Sequence, residues 1–268
     1  MIEIVGLIAL GIFAGTLAGL LGVGGGAVIV PILILILQSH PEMPSTHIMH
    51  IAIGTSLATI ILTSISSILA HQRHGAINWP VALRLTPWIV MGSFSGAALA
   101  GVMSNLTLKI IFAVFLLTIA LQMSFGKPPA PNRQLPKLLG IGLVGTTIGI
   151  ISALVGVAGG AMTVPFLAMC NIPMRNAVAT SAACGFPIAV AGAIGFIITG
   201  WNVSGLPASS TLGYIYIPAF LTITPLTLLF APLGAKLAHS IPVNALKKVF
   251  ALFLIALSIK MLLELAMR

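Results

Sequence analysis

The glycine cluster Gly22-Val23-Gly24-Gly25-Gly26 interrupts an apolar run that extends from Ile4 to Leu37. One continuous helix of that length, at about 1.5 Å per residue, would measure about 50 Å, which exceeds a hydrocarbon core of about 30 Å. Glycine is unfavourable inside a helix, and Pro31 follows five residues after Gly26. We therefore expect the run to break at the glycines, with Pro31 as a helix-breaking residue.

The same break occurs a second time in the chain. Segment 145–165 repeats segment 11–31 without a gap, including Gly-Val-Ala-Gly-Gly-Ala at 156–161 and a second helix-breaking proline at Pro165. Other matched positions follow in the same order: Thr55-Ser56 with Thr180-Ser181, Gly75 with Gly200, and Pro87 with Pro225. Between the two copies lies a segment rich in proline and basic residues. The sequence thus predicts two homologous transmembrane repeats, 1–125 and 138–268, joined by a cytoplasmic linker, 126–137.

Composition defines the environment of this fold. Of 268 residues, 59% are hydrophobic and 6% are charged, whereas a soluble globular protein has about 25% charged residues. The formal charge of +9 comes from Lys and Arg residues scattered among loops, which is typical of membrane topology signals and not of a nucleic-acid surface. The chain is therefore expected to be an all-α integral membrane protein, a polytopic helical bundle.

Loop charges distinguish parallel from inverted repeats. If each first apolar block crosses the membrane once, the repeats are parallel, and seven basic residues lie on one side of the membrane and five on the other. If each block enters, breaks and returns, the repeats are inverted and the division is nine to three. The nine are Arg73, Arg84, Lys127, Arg133, Lys137, Arg175, Lys236, Lys247 and Lys248. We expect inverted repeats, with both termini on the non-cytoplasmic side of the cell (inner) membrane.

The paired breaks are the first candidate binding site. Non-helical backbone at membrane depth requires protein or a wet cavity around it, so two breaks predict a shared internal cavity. Helices that restart after glycines turn free N–H groups and a partial positive charge inward, which favours an anion. The candidate residues are Gly24, Gly25, Gly26 and Ala27 in the first half, and Gly159, Gly160 and Ala161 in the second. The alternative is close helix packing, which the upstream glycines at 11, 15, 145 and 149 fit better.

Paired hydroxyls and one arginine are further candidates. Thr55-Ser56 and Thr180-Ser181 occupy matching repeat positions and could donate to an oxyanion, or could bond back to their own helix. Arg175 takes the position of His50 in the first half and could coordinate an anion or anchor a lipid headgroup.

Several function classes are disfavoured by what the spans contain. No acidic residue lies in the middle of an apolar block, which argues against a carboxylate proton relay or cation site. The chain has no phosphate-binding loop and no nucleophile with a nearby base. His40, His47 and His50 include an i, i+3 pair that could hold a metal, but no Cys or carboxylate stands at matching spacing beyond Glu42. We expect no enzyme activity, no cofactor and no metal. His71, Arg73 and His74, at the predicted cytoplasmic mouth, could attract anions, titrate, or form a solvated loop.

The doubled glycine-proline motif, with a Thr-Ser helix after each copy, resembles the TauE/SafE family of sulfite and organosulfur-anion exporters. The resemblance covers both halves and implies a permease for a small sulfur oxyanion or organosulfonate, without a bound cofactor. Ala158 departs from the pattern, since Gly24 stands at its position in the first half, and makes the second loop stiffer.

These observations favour a secondary transporter with an anion site where the glycine breaks meet. An anion channel, or a transporter of thiosulfate, sulfate or a carboxylate, is the alternative. A structural subunit would have little need of two matched breaks. The expected partners are a small anionic substrate and membrane lipid, with no nucleic acid; a homodimer is left open.

Overall fold

The computed structural model describes residues 2–21, 25–40, 43–125, 134–238 and 243–266. These ranges form ten helices and one short β-hairpin. The helices are α1 (Ile2–Leu21), α2 (Gly26–Gln38), α3 (Ile48–Arg73), α4 (Trp79–Val102), α5 (Asn105–Phe125), α6 (Leu138–Val155), α7 (Gly160–Met169), α8 (Met174–Gly200), α9 (Ile217–Ala238) and α10 (Val243–Ala266), and the strands are β1 (Thr211–Leu212) and β2 (Ile215–Tyr216).

Five helices of the described ranges, α3, α4, α5, α6 and α8, are long and apolar enough to cross a membrane by length and composition. Helices α2 and α7, of 13 and 10 residues, are too short to span a core of about 30 Å. The expectation of an all-α polytopic membrane fold is confirmed.

Each first apolar block enters the bundle and turns back. Helix α2 runs antiparallel to α1, because Gly6 of α1 packs beside Ile36 near the end of α2, and Gly25 lies beside Ala14. In the second half, Gly159 before α7 lies beside Ile148 of α6. We call the end of the bundle where α5 ends and α6 begins the linker side, and the end where α1 begins and α10 ends the terminal side.

The two halves have inverted topology. Helices α3 and α8 are repeat equivalents, yet they pack antiparallel: Leu57 meets Gly192, and Ser64 meets Gly185. Their counterparts α5 and α10 are also antiparallel, since Lys109 at the start of α5 donates a hydrogen bond to Glu264 near the end of α10. Equivalent helices that run in opposite directions are the signature of inverted repeats.

The halves interlock through their first helices. Helix α1 packs on α9 of the other half, and α6 packs on α4 in the equivalent way. Glycines allow close approach at both contacts: a Cβ on Gly15 would lie 2.7 Å from the Thr227 Cα atom, and one on Gly149 would lie 2.3 Å from the Ile89 carbonyl oxygen. The upstream glycines therefore serve close helix packing.

The two prolines do not break the helices, which corrects the prediction for Pro31 and Pro165. Each is the sixth residue of its short helix, and the helix continues through it. The missing N–H groups leave the carbonyls four residues earlier, at Ala27 and Ala161, without their intrahelical donor. The interruption instead lies upstream, between Leu21 and Gly26 and between Val155 and Gly160.

Candidate functional site

The two glycine breaks meet at the centre of the bundle. A Cβ on Gly26 would lie 2.3 Å from the Gly156 carbonyl oxygen and 2.9 Å from the Val157 Cα atom, so the two backbones are in direct contact. Gly156 ends α6 in the left-handed region, at φ 66°, a conformation that favours glycine. Ser56 of α3 donates a hydrogen bond to the same Gly156 carbonyl over 2.8 Å. We call this contact the central junction.

Two helix N-termini face one cavity beside the central junction. Gly25 is the N-cap of α2 and Gly160 is the first residue of α7, and both line a cavity of about 490 Å³. The first N–H groups of each helix have no acceptor within that helix, and the aligned peptide dipoles place partial positive charge at this end. The cavity therefore receives electropositive backbone from both halves of the chain.

The side chains around this central cavity are apolar or hydroxyl-bearing, with one histidine, His71, at its linker-side end. No Asp, Glu, Lys or Arg occurs among the described residues that line it. Its hydroxyl-bearing residues are Thr63, Ser64, Ser66, Ser67, Ser181 and Thr227. A cavity with hydroxyl donors, two helix N-termini and no lining carboxylate is electrostatically suited to an anion.

Of the paired hydroxyls predicted from sequence, the structure brings only Ser181 to the cavity, where its hydroxyl donates to the Val178 carbonyl. Thr55 and Thr180 instead make equivalent contacts between the halves. The Tyr216 N–H before α9 donates to the Thr55 hydroxyl over 2.9 Å, and the Asn78 N–H before α4 donates to the Thr180 hydroxyl over 3.0 Å.

Both threonines are fully buried, and each satisfies a backbone donor at the start of a helix of the other half. Together with Ser56 at the central junction, they hold the interface between the halves and do not line the cavity. In this structure the three residues make contacts between the halves, and substrate binding by them stays a prediction.

The remaining predicted residues occupy several places. Gly26 and Ala27 are buried in the first turn of α2, Gly159 packs against Ile188, and Ala161 is half-buried in α7. Gly24 lies outside the described residues. Arg175 is exposed at the start of α8, close enough to His71 for electrostatic interaction, but it is not part of the cavity wall.

Sequence reasoning missed the hydroxyls on the second half of α3. Thr63, Ser64, Ser66 and Ser67 place four hydroxyls in five residues of a membrane-spanning helix. This cluster of hydroxyls could have predicted a cavity-lining face of α3, because polar residues in a membrane span commonly face a bundle interior or a cavity.

A second cavity, of about 800 Å³, opens among the helix ends of the terminal side. Its wall includes His47, His50, Asn105, and the ion pair in which Lys109 contacts Glu264 at 2.5 Å. It shares no lining residue with the central cavity among the described residues. Within the described ranges, no three His, Cys, Asp or Glu side chains form a metal site.

Inverted repeats with paired helix breaks at a central cavity define a polytopic membrane transporter. The family model described as Sulfite exporter TauE/SafE matches residues 7–261. The chain belongs to the TauE/SafE family, and it is a membrane transporter protein, not an enzyme.

Relatives from bacteria and archaea agree with this assignment. A probable membrane transporter protein of Haemophilus influenzae is 38% identical over 256 residues, which cover 95% of this chain and 96% of that protein. One from Methanocaldococcus jannaschii is 30% identical over 96% of this chain and 94% of its own length. The probable membrane transporter protein YunE of Bacillus subtilis is 28% identical over 72% of this chain and 78% of its own length. No solved structure matches the chain.

Proposed function

We propose that this protein moves a small sulfur-containing anion, such as sulfite or an organosulfonate, across the plasma membrane by alternating access. The observation that carries the proposal is the central cavity, where the N-termini of α2 and α7 point into a space without lining carboxylates. The description of the family as sulfite exporters supports a sulfur oxyanion as the substrate.

The substrate would bind at the helix N-termini. We assign binding of the anion's charged group to the backbone N–H groups at Gly25 and Gly160. Nearby hydroxyls, such as those of Ser64 and Ser181, would donate hydrogen bonds to its oxygen atoms. Glycine at position 25 lets a small ligand approach the peptide N–H groups directly, since no Cβ intervenes. The apolar remainder of the wall would accommodate the carbon chain of an organosulfonate.

The alternating-access part of the proposal rests on the two separate cavities. The central cavity extends to the linker-side end of α3 and shares no lining residue with the terminal-side cavity among the described residues. We assign the barrier between the two cavities to the central junction. Opening the central cavity to the terminal side would require Gly26 to move away from Gly156. It would also require the Ser56 hydroxyl to release the Gly156 carbonyl. An inverted repeat allows this exchange, because either half can adopt the conformation of its counterpart.

The orientation in the membrane follows from charge. Arg73, Arg84, Lys137, Arg175 and Lys248 lie at the linker side. The terminal side has Lys109 and Lys260, and Lys109 is paired with Glu264. By the positive-inside rule we assign the linker side to the cytoplasm and both termini to the opposite side. The central cavity is then accessible from the cytoplasm, as an exporter requires for substrate loading.

Sulfite flux into proteoliposomes tests the proposal, with thiosulfate, taurine, sulfate and a short carboxylate as competitors. A transporter with one central site gives a flux that saturates with sulfite concentration, and the competitors rank the substrates. A flux that rises linearly without saturation would favour the anion channel. Absence of flux for every anion offered would contradict the proposed function.

A further inference from the structure

His71 is the ionisable side chain of the central cavity. It lies three residues before the C-cap of α3, half-buried, and lines the linker-side end of the cavity. The described wall contains no Asp, Glu, Lys or Arg beside it. Any change of charge on the wall near neutral pH must therefore come from this imidazole, whose ordinary pKa is about 6.5.

Within the described residues, the charged groups that interact with His71 are basic. His74, the C-cap of the same helix, and Arg175, at the start of α8, interact with it electrostatically. Arg73 is exposed two residues along the chain.

Carboxylates do not approach His71 in the described part of the chain. Glu264 is near the terminal-side end of α10 and contacts Lys109, and Glu3 is near the start of α1. An imidazolium at position 71 would thus lie among like charges without a protein anion to balance it. A substrate anion in the cavity would supply that negative charge.

We propose that His71 is a proton-linked substrate-binding residue, whose imidazole takes up one proton from linker-side water when an anion occupies the central cavity. This inference rests on the proposed function and adds that anion transport is coupled to proton uptake. Linkage is reciprocal: if the bound anion favours the imidazolium, the imidazolium strengthens anion binding by the same factor. Proton and anion then bind together, and a pH gradient can drive anion movement.

Sulfite uptake into proteoliposomes tests the coupling, with equal pH on both sides of the membrane. We compare the wild type, His71→Gln, and the matched control His74→Gln, which alters the neighbouring histidine that does not line the cavity. Measurements at about pH 5.5 and about pH 8 bracket the ordinary histidine pKa. Because sulfite titrates identically for every variant, the ratio of variant KM to wild-type KM isolates the contribution of the side chain.

For His71→Gln we expect a KM ratio close to one at about pH 8 and a ratio of about five or more at about pH 5.5. The ratio for His74→Gln should change by less than about twofold over the same interval. A ratio for His71→Gln that is the same at both pH values, while the wild type transports sulfite, would overturn the coupling and leave the proposed function standing. A wild type without saturable flux would overturn the proposed function itself.

Discussion

Gly26→Ala is the substitution that the structure predicts to be most informative about the central junction. The new Cβ would lie 2.3 Å from the Gly156 carbonyl oxygen and 2.9 Å from the Val157 Cα atom. Both atoms belong to backbone, so relief requires the two glycine breaks to move apart. That movement would also stretch the 2.8 Å hydrogen bond from the Ser56 hydroxyl to the Gly156 carbonyl.

The expected loss of stability combines two terms. Overpacking in a tight core costs about 1–3 kcal/mol, and a lost hydrogen bond costs about 1 kcal/mol. The sum of about 2–4 kcal/mol corresponds to a decrease in Tm of roughly 5–10 °C for a chain of this size. The adjacent Gly25→Ala is the control, because its Cβ would lie 3.2 Å from the movable end of Ile29 and in ordinary contact, at 3.7 Å, with the Ala14 carbonyl oxygen.

Thermal unfolding in detergent, followed with a thiol-reactive fluorogenic dye, measures this difference. The thiols of Cys170 and Cys184 are both buried, so they react only as the fold opens. Adding Ser56→Ala gives a second check, since Gly26→Ala should cost about 1 kcal/mol less once the hydrogen bond is already absent. Equal Tm values for Gly26→Ala, Gly25→Ala and the wild type would refute the contact between the two breaks.

Three further predictions probe the rest of the framework by the same assay. Thr55→Val removes the acceptor of the buried Tyr216 N–H, and Thr180→Val removes the acceptor of the part-buried Asn78 N–H. Each should cost about 1–3 kcal/mol with sulfite KM unchanged, and a raised KM at unchanged Tm would indicate a role in substrate binding. Gly149→Ala places a Cβ 2.3 Å from a backbone carbonyl oxygen of α4 and should lower Tm by several degrees, and an unchanged Tm would contradict the close packing of α6 on α4. Glu264→Gln leaves the Lys109 ammonium, in a side chain whose residue is 7% exposed, without its counter-charge and should cost about 3 kcal/mol of stability. The double variant with Lys109→Met should regain most of that loss. If the two losses simply add, the ion pair is contradicted.

The fold could be predicted in outline because its signals are periodic and repeated. The apolar run from Ile4 to Leu37 is too long for one upright helix, and its glycines mark the break that the structure contains between Leu21 and Gly26. Loop charges favoured inverted repeats, and the antiparallel packing of the equivalent helices α3 and α8 confirms them. These inferences depend on chain length, helix propensity and charge, which a sequence states directly.

Side-chain partners could not be predicted in the same way. The Thr-Ser pairs have the residue types of an oxyanion site, yet Thr55 and Thr180 accept hydrogen bonds from residues 161 and 102 positions away. The β-hairpin before α9 was missed because its two strands have only two residues each, shorter than an alternating pattern needs. The prolines were misjudged because tertiary packing kept α2 and α7 helical through them.

The central claim, an anion site where the helix breaks meet, is tested most directly by a size series at position 25. Gly25 lines the cavity, so Gly25→Ala, Gly25→Val and Gly25→Leu fill the approach to the N-terminus of α2 by increasing amounts. Saturable sulfite uptake should fall with each step and be lost in Gly25→Leu, while Tm shows that the protein remains folded. Wild-type uptake by a folded Gly25→Leu protein would contradict the site.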